Sequence, residues 1–211
     1  MSTATDRDIA LLCHPMVPPL TESMAAALLD RAEAVELLAH LEQDRIMRRN
    51  RRGVWKPVSS TPVRPLDVSE LLAGLARVAD HLNGCALEHN SSTEDSWFRG
   101  DADEAGCALA AALDWFDARP HADALLRCAS AIADEARHRR IVIEAADEWA
   151  DYLTVVGRWQ DAAHLAALGL RAAERDGCSE SVEICRAKLA YAYSAGGEED
   201  AAERVLGAEE P

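Results

Sequence analysis

The sequence predicts a mainly α-helical chain: a small helix-helix-hairpin domain, a helical linker, and an α-solenoid of three helix hairpins. Three observations carry this. Hydrophobic residues make up 49% of the chain and are mostly Ala and Leu, whereas aromatics are 5% and β-branched residues are sparse, a balance that favours helices over strands. The second half matches itself at a spacing of 40 residues. Residues 46–58 form two short strand-like runs around an Asn/Gly turn.

The N-terminal domain is placed at residues 1–64. A first helix falls near residues 6–13. Thr21 caps a second, reaching Leu28. Asp30 is the expected cap of a third, with Ala34, Val35, Leu37, Leu38 and Leu41 as its apolar stripe. Residues 46–49, the turn Asn50-Arg51-Arg52-Gly53 and residues 54–58 then read as a hairpin. Helix, helix, hairpin is the layout of a winged helix.

Residues 65–99 are read as helical linker and loop. Ser59, Ser60, Pro62 and Pro65 make the approach to it irregular. A helix starts at Asp67 or Ser69 and runs to about Leu82, with Asn83-Gly84 as punctuation. Residues 90–101 read as an exposed loop, whose Trp97-Phe98 is a candidate association surface.

The repeats occupy residues 100–211. Leu109, Trp149 and Leu189 align at the 40-residue spacing, as do Ala110, Ala150 and Ala190. Leu113, Leu153 and Tyr193 follow, then Asp117, Gly157 and Gly197, then Ala122, Ala162 and Ala202. Each unit places a large residue beside a small one on a first helix, makes a turn, and sets an Ala of a second helix against the first. Such a hairpin cannot bury its apolar face alone, so neighbours must stack. The pattern resembles the tetratricopeptide repeat. Leu189, Ala190, Tyr193, Gly197 and Ala202 fit it best, and Asp117 departs from it where the turn Gly belongs. The resemblance implies that the first helices line a concave face, with Glu104, Cys107, Asp114, Trp115, Glu144, Asp147, Asp151, Thr154, Tyr191 and Ser194 on it.

The order of parts resembles the C-terminal regulatory half of the bacterial STAND signalling regulators, in which a winged helix precedes tetratricopeptide-like repeats. The residues carrying the likeness are Ala-Ala-Ala-Leu-Leu at 25–29, Trp-Lys-Pro at 55–57, Ala-Leu-Asp-Trp-Phe-Asp-Ala-Arg-Pro at 112–120 and Tyr-Leu-Thr-Val-Val-Gly-Arg-Trp-Gln-Asp-Ala at 152–162. The sequence has no Gly-x-x-x-x-Gly-Lys-Ser/Thr loop, so the NTPase of that family is not expected.

Charge narrows the partners. The net charge is −15, but residues 1–66 hold nine basic and eight acidic residues, and residues 45–66 hold seven basic and none acidic. The acidic groove is expected to bind a basic segment of a protein partner, or the chain's own basic wing at residues 48–52. The alternative is a DNA-binding regulator whose wing, Arg48, Arg49, Arg51, Arg52 and Lys56, meets phosphates; the helix before it is a poor reader, with Glu33, Glu36, Glu42 and Asp44 set against Arg31.

Other chemistry finds little footing. No apolar run approaches the roughly 18 residues that span a membrane. The polar N-terminus argues against a secretory signal, so a cytoplasmic protein is expected. Six cysteines show no Cys-x-x-Cys pair and read as buried free thiols. Glu135 and His138 form one Glu-x-x-His pair with no second copy, and no Gly-x-Ser-x-Gly elbow occurs. Neither a cofactor nor an enzymatic activity is expected.

Overall fold

A computed structural model describes residues 4–32, 34–58, 65–97 and 115–207, with the side chains of 87–97 and 115–118 outside that description. Among the described residues the chain is nine α-helices and one two-stranded sheet. The helices are α1 (Asp6–Leu12), α2 (Glu22–Leu29), α3 (Ala34–Gln43), α4 (Val68–Trp97), α5 (Trp115–Ile132), α6 (Arg139–Val155), α7 (Trp159–Asp176), α8 (Ser179–Ala195) and α9 (Glu199–Leu206). The strands are β1 (Met47–Arg49) and β2 (Trp55–Pro57).

Local chemistry sets the N-terminal elements. Thr5 and Asp8 form a reciprocal capping box on α1, with the Asp8 carboxylate accepting from the Thr5 N–H at 2.9 Å. Asp8 is buried and pairs with Arg31 at 3.0 Å, which compensates the charge. Thr21 caps α2, as the sequence predicts. Asp30 does not cap α3. It ends α2 in the left-handed conformation at φ 56°, a region that Asp tolerates because its short side chain bonds locally. Val35 also departs from its predicted core role and is exposed, while Ala34, Leu37, Leu38 and Leu41 are buried.

The hairpin forms where expected. Asn50 Oδ1 accepts from the backbone N–H of Arg52 at 2.9 Å and of Val54 at 3.0 Å, holding the turn. Arg48 then faces Lys56 and Arg49 faces Trp55 across the antiparallel pair. Trp55 also exchanges two backbone hydrogen bonds with Leu20, which fastens the sheet to the chain before α2.

α4 is longer and more buried than the predicted linker helix. Asn83-Gly84 does not interrupt it, and residues 90–97 continue the helix rather than forming a loop; Phe98 lies outside the described residues. Asn83 is buried, and its Nδ2 donates to the Ile141 carbonyl of α6 at 3.0 Å, so the side chain is consumed by packing instead of a turn. Near the middle of the same helix, Arg77 donates to the carbonyls of Ala27 (3.0 Å) and Leu28 (2.6 Å), in the last turn of α2. Leu71, Leu75, Val78, Ala79 and Leu82 of α4 belong to one buried cluster that extends from Leu11 to Ala192. α4 packs on α2, α5 and α6.

From α5 onward, consecutive helices pack on one another, α6 on α7, α7 on α8 and α8 on α9. The first predicted turn is absent: α5 runs through Asp117 and carries Pro120 inside it. At Asp117 no glycine is present to reverse the chain. The turns at Gly157 and Gly197 do form, at φ 79° and 75°. Their closures are the same: Arg158 N–H donates to Leu153 O at 2.7 Å, and Glu198 N–H to Tyr193 O at 2.9 Å. Between them, Gly169 brings α7 against Ala146 of α6 and Cys185 of α8.

Candidate functional site

The predicted acidic groove is only partly assembled from the expected residues. Glu144, Asp147, Asp151 and Val155 recur on α6 at spacings of three and four, so they share one face. On α8 the corresponding stripe is Ile184, Lys188 and Tyr191. Lys188 joins the two: its Nζ lies 2.8 Å from Asp151 Oδ2 and 3.3 Å from Asp147 Oδ1. Burial alone would push the Lys188 ammonium down, but its attraction and hydrogen bonds to Asp151 and Asp147 outweigh this and hold it above its ordinary value. Glu144 pairs with Arg140 one turn before it at 2.7 Å. Two cations of the chain itself therefore already meet three groove carboxylates.

Thr154 does not face the groove. It is buried, and its Oγ1 donates to the Ala150 carbonyl at 2.9 Å. Ser194 is committed to Glu199 at the start of α9, at 3.1 Å. Tyr191 is 50% exposed, and Val155 (39%) and Ile184 (37%) are exposed on the same two stripes. Sequence reasoning missed Lys188, Val155 and Ile184, although the 40-residue period sets Tyr191 against Asp151. Trp115 is the first described residue of α5, with its side chain outside the description; Glu104, Cys107 and Asp114 lie outside the described residues.

The basic wing divides in two. Arg49 is engaged: it pairs with Glu22 at 3.2 Å, lies over the Trp55 ring at 5.7 Å, and donates its backbone N–H to Glu42 at 3.2 Å. Arg48 and Arg51 are exposed on the hairpin. Arg52 and Lys56 instead line a cleft of 350 Å³ between the hairpin and α5, together with Arg119 and Arg127. The carboxylate in the lining is Asp123, which accepts from Arg158 at 2.8 Å. Arg119 and Arg127 escape a sequence reading because they lie far from the hairpin along the chain.

Comparison with protein-family models, curated proteins and solved structures yields no match. The site therefore rests on its own chemistry. Glu135 and His138 do not share an α-helical face: residues Ala136–His138 form a 3-10 turn between α5 and α6. The His138 Nε2 is buried with no hydrogen-bond partner among the described residues, and burial, aided by Arg137, lowers the imidazole pKa. Among the described residues, no group of three or more His, Cys, Asp or Glu side chains is arranged to hold a metal ion. Burial pushes the Cys128 thiol up to about 12 and Cys185 to about 11, which suits packing rather than nucleophilic attack. No helix of the described residues is long and apolar enough to cross a membrane.

Proposed function

We propose that this chain is a non-enzymatic, cytoplasmic interaction module that holds a segment of a protein partner on the face shared by α6 and α8. The observation that carries the reading is the exposure of Tyr191, Val155 and Ile184 around the Lys188–Asp147–Asp151 cluster. Aromatic and aliphatic side chains left in water beside an ionic cluster of one ammonium and two carboxylates form a surface that gains by being covered. The partner segment is read as amphipathic, with apolar residues for Tyr191 and Ile184 and basic residues for Glu144 and the outer edges of Asp147 and Asp151. The equivalent turn closures at Gly157 and Gly197 support a tetratricopeptide-like reading of α6–α9, and the α1–α3 and hairpin layout supports a winged-helix-like one. Regulatory use, as in the half of STAND regulators that the sequence resembles, belongs to the same proposal.

The test is quantitative capture of proteins from native lysate by the full chain, with nuclease present, against the Tyr191→Ser, Ile184→Ser double variant. A partner retained by the parent and lost by the variant supports the face. Identical protein sets from the two chains would sink it.

A second reading, duplex DNA binding, rests on the exposure of Arg48, Arg51 and Arg52 on the hairpin. It requires steep salt dependence and loss of affinity when Arg48, Arg49, Arg51 and Arg52 are neutralised. Duplex affinity that survives all four changes would remove it.

A further inference from the structure

We infer that the cleft between the hairpin and α5 is a binding site for an oligophosphate group, as carried by a small phosphorylated ligand. The lining is the reverse of the chain around it. Over the whole sequence acidic residues outnumber basic ones by 37 to 22, yet this cleft draws four cations, Arg52, Lys56, Arg119 and Arg127, to one carboxylate. That carboxylate, Asp123, is shared between the guanidiniums of Arg158 at 2.8 Å and of Arg119 at 4.0 Å, so a single divided negative charge stands among the four cations. On the hairpin, Lys56 also faces Arg48 directly across the two strands, a like-charge pairing that disfavours the sheet. Cations gathered from two distant stretches of chain repel one another, and an anion seated among them removes that cost.

The shape fits the charge. Arg119 and Arg127 are eight residues apart on α5, about 12 Å along the helix axis at about 1.5 Å per residue. Ala124 lies between them in the lining, too short to fill the space. Arginine forks suit phosphate oxygens in pairs, and Lys56 adds a point charge. A row of linked phosphates spans these donors, whereas a single phosphate meets only some of them. Pro19, Val54 and Pro120 give the recess an apolar side for the uncharged part of a ligand. This site is separate from the α6/α8 face, and its success or failure leaves that reading untouched.

The experiment is calorimetric titration of the full chain with inorganic triphosphate, alongside inorganic phosphate, at low and at physiological salt. Saturable one-to-one binding is expected, with triphosphate tighter than phosphate. Arg119→Gln and Arg127→Gln, both exposed positions, should each weaken it about tenfold. Arg204→Gln, the same charge change on α9, should leave it unchanged. No saturable binding, an equal loss with Arg204→Gln, or no loss with the two cleft variants overturns the site. A short DNA duplex separates the sources of phosphate. If triphosphate displaces the duplex and the cleft variants weaken both, the cleft binds phosphate from either. If the duplex is lost with Arg48→Gln and Arg51→Gln but is indifferent to triphosphate and to the cleft variants, the hairpin tip is the anion contact and the proposal falls.

Discussion

Lys188 of α8 reaches across to Asp151 of α6 at 2.8 Å, and takes Asp147 at 3.3 Å with the same ammonium. One cation thereby ties α8 to α6. The Lys188 side chain is only 16% exposed, so its solvent is replaced largely by those two carboxylates.

Replacing it tests that tie. Lys188→Met should lower unfolding free energy by about 1–2 kcal/mol, because the two carboxylates stay close with no shared cation, although their partial exposure limits the cost. The pH dependence has a definite sign. The ammonium pKa is raised on folding, so its contribution is complete below the ordinary value of 10.5 and declines as pH rises through the folded value. Urea unfolding between pH 9 and about pH 11.5 should show an alkaline loss in the parent that is smaller in the Met variant. Equal alkaline slopes would mean that the bridge is not formed in solution.

Gly157 offers a cleaner backbone test, since an added Cβ would meet nothing within 4 Å. Any cost of substitution there is conformational. Gly157→Ala should destabilise by about 1 kcal/mol, and Gly157→Asn by distinctly less, because Asn tolerates the left-handed region. Matching thermal midpoints for the Ala and Asn variants would argue against the φ 79° turn.

Gly169 predicts the opposite pattern. It lies within α7, where Ala is the better helix former. Its added Cβ would overlap that of Ala146 and come to 3.0 Å from the Cys185 Sγ. Gly169→Ala should therefore lower stability by about 1–3 kcal/mol despite the propensity gain. A stabilised variant would show that the three helices are not packed this closely.

The thiols separate by environment. Cys178 accepts a hydrogen bond from the Ser181 hydroxyl at 3.2 Å, which lowers its pKa, whereas burial raises Cys13, Cys128 and Cys185. Brief iodoacetamide treatment of the native chain at neutral pH, read by peptide mass spectrometry, should modify Cys178 well ahead of Cys128 and Cys185. Comparable labelling of all three would contradict the core assigned here.

Features set by neighbours in sequence were the legible ones. Asn50 and Gly53 announce the hairpin, Thr21 announces α2, and Gly157 and Gly197 announce their turns, because each acts within a few residues of itself. Asn83-Gly84 misleads for a physical reason: the Asn side chain finds the Ile141 carbonyl, a partner that exists only after α4 and α6 pack. The groove misleads in the same way. Asp147 and Asp151 read as free negative charge until packing delivers Lys188. The cleft at α5 was invisible because Arg52 and Arg119 become neighbours only in the folded chain.

α4 finally bears on how this chain can be divided. By sequence, the stretch after Pro65 invites a cut between two modules. In the folded chain Arg77 closes the end of α2 while Asn83 grips α6, one helical turn and a half further on. A fragment ending before α4 would expose the apolar sides of α2, and one beginning after it would expose those of α5 and α6. The apparent seam is the shared keel of both halves, and truncations meant to isolate either half should carry residues 68–97 with them.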